Sequence, residues 1–171
     1  MRTALITLLT ILATSAFAEG DDHDHDHDDH GHEEETSHKA TLGDVELLHA
    51  WTTETDDDTA LIYVEIENGG DAPVTLIGAE SDIAASVELV GFQLKDGADH
   101  YEPLGEVAIA AGSHLDLEPR GVAFLMTGLT EHLHEDEEFE FHVIFDTGEA
   151  AMIGQVEAAD ATQHSHAGHN H

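Results

Sequence analysis

Apolar residues fall into one continuous run near the start of the chain and a long middle region of short, regularly interrupted runs. The early run covers residues 4–13 (ALITLLTILA), and the middle region covers residues 41–157. Two polar regions flank the middle region. We therefore expect a leader (residues 1–18), a polar tail (19–40), one folded domain (41–157) and a second polar tail (158–171).

The middle region is predicted to be all-β. Residues 61–66 (LIYVEI) alternate towards their end and stop at Asn68-Gly69-Gly70, which is a turn signal. Residues 139–145 (FEFHVIF) alternate with a period of two and end at Thr147-Gly148. Short strands between turn signals favour a β-sandwich or a barrel. The other predicted strands are 45–51, 73–79, 87–94, 107–110, 114–117, 122–126 and 151–156, and residues 82–86 are a candidate helical turn.

The start of the chain has the three parts of a secretory signal peptide. Arg2 supplies positive charge, residues 4–13 supply an apolar segment too short to span a membrane as a mature helix, and Ala16-Phe17-Ala18 is a small-x-small cleavage site. We expect cleavage after Ala18, no membrane insertion of the mature chain and a periplasmic location. Because no cysteine follows the signal, we do not expect a lipoprotein.

The composition is strongly acidic, with 38 Asp and Glu residues against four Lys and Arg residues. Nucleic acid and anionic lipid both require positive charge on a protein, so we expect no nucleic-acid partner and an attraction for cations. The chain contains no cysteine. Thiolate zinc fingers and cysteine nucleophiles are therefore excluded, and any metal ion must be held by imidazole, carboxylate, thioether or backbone groups.

Histidines are concentrated in the two tails, which are expected to be disordered without metal because they lack core-forming residues. Neutral imidazole is a good ligand for transition-metal ions, and carboxylates can complete the shell. We therefore predict copper (Cu2+ or Cu+) or zinc as the bound ion. Affinity should fall as pH drops through the unperturbed histidine pKa of about 6.5. The candidate ligands in the tails are His23, His25, His27, His30, His32, His164, His166, His169 and His171.

The middle region resembles the periplasmic copper chaperones called PCu(A)C. The resemblance rests on Trp51 after an apolar strand and on the segments LIYVEIENGGDAPVTLIGAES, ASVELVGF and GVAFLMTGL, and it extends over residues 45–156. It implies a cupredoxin-like, Ig-like β-sandwich. It also implies a protein that carries copper(I) to the CuA centre of cytochrome oxidase or buffers periplasmic copper.

The copper motif of that family, His-x10-Met-x21-His-x-Met, is degenerate in this chain. Its four ligand positions fall at Val90, Tyr101, Ala123 and Leu125, so that the spacing is kept and the ligands are not. Aliphatic side chains do not bind metal ions, and a neutral tyrosine binds them poorly. We therefore do not expect the copper(I) site of the family in this domain.

Other side chains of the domain are weaker candidates for metal ligands. His100 and Met126 adjoin two of the motif positions, but a shift of one residue along a strand reverses the face of the side chain. His132 and His134 have an i, i+2 spacing that puts both on one side of an extended segment, and we count them as candidate ligands. The remaining histidines are expected to be half-buried or on the surface: His49, His114 and His142.

A periplasmic metal carrier or buffer, with copper as its cargo, is the function these features favour. It would present the ion to a membrane or periplasmic receiving protein. A zinc-binding chaperone is an alternative, because imidazole and carboxylate without thioether also suit zinc. A β-sandwich interaction module with non-essential tails is a second alternative. An enzyme is not expected, since the chain lacks Gly-x-Ser-x-Gly, HExxH and any cysteine nucleophile.

Overall fold

The computed structural model describes residues 38–164, and every regular element among them is a β-strand, as predicted. Within this range no helix is long and apolar enough to cross a membrane. The leader and most of both tails lie outside the described residues. The strands are β1 (Lys39–Leu42), β2 (Val45–Thr53), β3 (Thr59–Asn68), β4 (Val74–Glu80), β5 (Ala84–Lys95), β6 (Ala98–Pro103), β7 (Val107–Ile109), β8 (Ser113–Leu117), β9 (Val122–Leu129), β10 (Glu138–Phe145) and β11 (Gly148–Glu157).

The strands form one continuous hydrogen-bonded sheet in the order β6-β5-β9-β8-β3-β2-β11-β10-β4-β7. Strand β1 is added beside β2, and β9 also pairs with β3. The sheet folds over, so that residues of β2, β3, β5 and β9 pack against residues of β4, β10 and β11 around one main core. This arrangement is the predicted β-sandwich.

Alternate residues of the facing strands make the main core. Along β3, Ile62, Val64 and Ile66 point into it and are at most 2% exposed. From β10, Phe141 and Val143 meet them and are fully buried. Burying a side chain of this size contributes about 1.5–3 kcal/mol. The period of two that predicted these strands therefore also supplies the packing that stabilises them.

Strand β2 contains a bulge at His49 and Ala50, where these two residues face a single residue of β3. Val45 and Leu47 are buried in the main core, and strict alternation would send His49 there as well. Instead, His49 adopts a φ of 53°, and Ala50 takes the inward position. The bulge thus turns the imidazole to the outer face of the sheet, the face that carries Trp51.

Three details differ from the sequence-based expectation. Residues 82–86 do not form a helical turn, because a two-residue turn leads straight into β5 at Ala84. Strand β6, which is mostly exposed and has no apolar alternation, forms because Asp96 and Gly97 both adopt positive φ (53° and 81°) and close a tight hairpin with β5. Strand β1 begins at Lys39, inside the region assigned to the first tail.

Candidate metal centre

The four positions of the degenerate copper motif come together on the outer face of the sheet. Val90 of β5 pairs with Ala123 of β9, and Tyr101 and Leu125 pack against the same cluster. Val90 is 1% exposed and Ala123 is fully buried. The spacing therefore identified positions that are neighbours in space. The side chains that fill them offer no imidazole and no thioether.

Two tyrosines complete this cluster. The ring of Tyr63 lies 4.6 Å from that of Trp51, centroid to centroid. Burial, and secondarily the charge and hydrogen bond of Tyr101, raise the pKa of Tyr63 far above the ordinary value. The backbone N–H of Arg120 donates to the Tyr101 hydroxyl at 3.3 Å. Because Tyr63 stays protonated at neutral pH, it is a poor metal ligand, and the cluster serves packing.

The chain after β11 returns across this outer face. Ala161 packs against the cluster, and its N–H donates to the carbonyl of Ala158 at 2.9 Å. The N–H of Ala159 donates to Glu54 Oε1 at 3.3 Å. Residues 158–164, which the sequence assigns to the second tail, thus lie on the domain, with Ala161 against the cluster that contains the motif positions. We call them the C-terminal segment.

The side chains next to the motif positions do not rebuild the site. Met126 is fully buried in the main core, whereas its neighbour Leu125 belongs to the outer cluster. His100 is exposed, and its Nε2 lies 3.2 Å from Glu102 Oε1. The expected reversal of face between adjacent strand residues is therefore confirmed at Met126.

His132 and His134 lie on the surface, on either side of the buried Leu133. Their ring centroids are 6.5 Å apart. His132 Nδ1 is 3.6 Å from Asp56 Oδ1, and the backbone N–H of His134 donates to Glu137 Oε2 at 3.1 Å. The pair therefore shares one side of its segment, as the spacing predicted, with a carboxylate near one ring.

Two further histidines face solvent from strands, as expected. The side chain of His142 is 33% exposed, and its ring nitrogens lie 3.3 Å from Glu140 and 3.7 Å from Glu149. The side chain of His114 is 66% exposed and lies 3.7 Å from Asp116. Each is a single imidazole beside carboxylates.

Three other histidines form a group on the outer face, which we call the three-histidine group: His38, His49 and His164. The ring of His164 lies 5.6 Å from that of His38 and 5.8 Å from that of His49, centroid to centroid. His164 Nδ1 is 2.8 Å from Glu157 Oε1, and the two side chains are only 5% and 13% exposed. Of the predicted tail ligands, His164 is the one that the structure describes.

Sequence reasoning missed this group because it placed His49 as a half-buried strand residue and assigned His38 to a tail without counting it as a ligand. His49 is indeed half-buried. One signal was available: a histidine at the position where the alternation of Val45 and Leu47 requires an apolar residue. The other predicted tail ligands lie outside the described residues: His23, His25, His27, His30, His32, His166, His169 and His171.

Comparison with solved structures gives the class of the domain. The chain is similar to a domain described as "apo PmoF2 PCuAC domain" (22% identity, TM-score 0.60, covering 74% of this chain and 99% of that one). It is also similar to "Copper-bound PCuAC domain from PmoF2" (21% identity, TM-score 0.59, 71% and 98%) and to "CuI-DR1885" from Deinococcus radiodurans (21% identity, TM-score 0.53, 66% and 77%). The fold is therefore that of PCuAC domains, which confirms the resemblance.

The family follows from the sequence itself. The model of the family described as "Putative lipoprotein LpqE-like" matches residues 45–157. This chain belongs to the LpqE-like family. The word lipoprotein is said of the family, and the 171 residues of this chain include no cysteine. No protein of curated function matches the chain significantly.

Proposed function

We propose that this chain is an exported, non-enzymatic carrier or buffer for a d-block metal ion, with copper as the cargo and a periplasmic location. The observation that carries the proposal is the contrast between the motif positions and the histidines. The domain has the fold of a PCuAC domain described as copper-bound, yet its motif positions hold apolar side chains and a tyrosine. The donors that remain are the 16 histidines of the chain, with its carboxylates to complete a shell.

The donor set favours copper(II) over copper(I). Soft copper(I) is bound best by thiolate and thioether ligands. The chain has no cysteine, and both methionines among residues 38–164, Met126 and Met152, are buried in the main core. Imidazole and carboxylate suit copper(II) and zinc, and a flexible set of donors follows the order in which copper(II) binds above zinc. Zinc is the alternative cargo on the same donors.

The test is a competition titration of the metal-free mature chain with Cu2+ and with Zn2+ against a chelator of known affinity. We expect binding of more than one ion, tighter than micromolar, with Cu2+ above Zn2+. A matched variant replaces by serine the eight tail histidines outside the described residues and should lose most of this capacity. If neither ion binds below the micromolar range, the carrier proposal is wrong. Binding of zinc without copper would instead identify a zinc chaperone.

A further inference from the structure

The bulge in β2 lies where two strands meet along one edge. Strand β1 pairs with β2 as far as Leu48, and the end of β11 pairs with it from Trp51 onwards. His49 falls in the interval between them. Its backbone N–H donates to the carbonyl of His38 at 2.9 Å. Two imidazoles are thus attached to neighbouring backbone that hydrogen bonds hold in place.

The C-terminal segment brings a third imidazole to the same place. Its side chain, that of His164, is nearly buried, and its ring lies 5.6 Å and 5.8 Å from the rings of His38 and His49. Metal–nitrogen bonds of about 2.0–2.1 Å place the centroids of two imidazoles that share an ion roughly 5–6 Å apart. The two measured separations fall in that range, whereas the 6.5 Å of His132 and His134 exceeds it.

Glu157 stands in the position of a residue that orients a metal-binding histidine. Metal-bound imidazoles usually direct their second ring nitrogen at a carboxylate or a carbonyl, which fixes the ring and its tautomer. His164 Nδ1 lies 2.8 Å from Glu157 Oε1, at the end of β11. An ion bound by His164 would then be bound through Nε2, the other nitrogen of the ring.

The backbone of His49 carries an independent sign of function. A φ of 53° is uncommon for a residue other than glycine and costs energy. Bulges that re-aim a side chain, and residues held in such conformations, concentrate at functional sites. At position 49 the strained conformation has a clear structural result, because it turns the imidazole away from the core and towards the face where His164 lies.

We propose that His38, His49 and His164 form a metal site for one divalent d-block ion, copper(II) or zinc, with Glu157 as the residue that positions His164. As the side chains stand, residues 38–164 contain no group of three or more histidines and carboxylates already arranged around a metal position. Binding therefore requires rotation of the imidazoles about their side-chain torsions. This proposal depends on the proposed function only for the class of ion, a divalent d-block metal.

The experiment uses the full mature chain in which the eight tail histidines outside the described residues are serine. It is titrated with Zn2+ and Cu2+ against a chelator, and with Co2+ for its visible absorption. We expect one ion per chain. His49→Gly and His164→Asn should each weaken binding by at least about 10–100-fold, the loss that even supporting residues cause. Glu157→Gln should weaken it about tenfold and shift the Co2+ spectrum.

His114→Asn is the matched control. It removes an exposed imidazole that lies beside a carboxylate and, among residues 38–164, next to no other histidine ring. This variant should bind the ion as tightly as the parent does. Thermal melts of the metal-free variants separate loss of ligand from loss of fold. The site is refuted if the parent of this series binds no ion below micromolar, or if His49→Gly and His164→Asn bind as tightly as the parent. If the unmodified chain also binds nothing, the proposed function fails as well. If the unmodified chain binds an ion and the parent with the eight serine substitutions does not, the binding site lies in the tails and the three-histidine group is not a site.

Discussion

Replacing His49 by glycine and by alanine tests whether the bulge in β2 is strained. Both substitutions remove the same imidazole and its contacts, so their difference in stability reports the backbone. A left-handed conformation costs a residue with a Cβ about 1–2 kcal/mol, and glycine avoids this cost. Glycine loses about 0.5–1 kcal/mol more than alanine through its greater freedom in the unfolded chain. At a φ of 53° we therefore expect His49→Gly to be more stable than His49→Ala by up to about 1.5 kcal/mol, with a central value of about 0.7 kcal/mol.

The measurement is urea unfolding of the metal-free variants, with the midpoint and slope fitted for each. The difference corresponds to a few degrees in Tm, since 1 kcal/mol shifts Tm by about 2–8 °C in domains of this size. Glu67 is the control, because it is exposed on β3 and is not among the residues with positive φ. There the order should reverse, with glycine below alanine. If the alanine variant at position 49 is as stable as the glycine variant or more stable, the bulge is not strained.

Three further predictions concern the domain. Asn68→Ala should cost about 1–3 kcal/mol by urea unfolding, because the 3%-exposed amide donates to three backbone carbonyls at 2.9–3.2 Å, which would lose their donor. Gly154→Ala should cost about 1–3 kcal/mol in the same assay, since a Cβ there would clash with Cζ of the buried Phe139. An unchanged midpoint would contradict this close approach. The raised pKa of Tyr63 means that its contribution to stability is complete below about pH 10 and is lost as pH rises, because the unfolded chain ionises first. Unfolding free energies measured between pH 8 and 11 should fall for the parent more steeply than for Tyr63→Phe.

Alternation and turn residues were sufficient for most of the fold. Nine of the eleven strands were predicted, because most of them bury one face and several end at a turn signal such as Asn68-Gly69-Gly70 or Thr147-Gly148. Strand β6 was missed because it buries almost nothing, and its formation depends on the Asp96-Gly97 hairpin rather than on its own pattern. A four-residue strand such as β1 has too short an alternation to be recognised within a polar region.

The site was less predictable, for a physical reason. The spacing of the degenerate motif located four neighbours in space correctly, since spacing along paired strands is fixed by register. The three-histidine group depends on a bulge and on the path of the C-terminal segment. Neither feature produces a periodic pattern in the sequence. In the sequence, His49 is one polar residue in an apolar strand, and His164 is one of many histidines in a tail.

The meeting of His38 and His164 joins the two ends of the described domain, 126 positions apart along the chain. An ion shared by these residues would act as a cross-link that closes almost the whole domain into a loop. For a covalent bridge over a loop of this length, the loss of entropy in the unfolded chain amounts to about 5 kcal/mol. Disulfides supply such closure in many small proteins, and a chain without cysteine cannot form them. Metal binding would then raise the resistance of the domain to heat and proteases, because the bound ion would hold its two ends together.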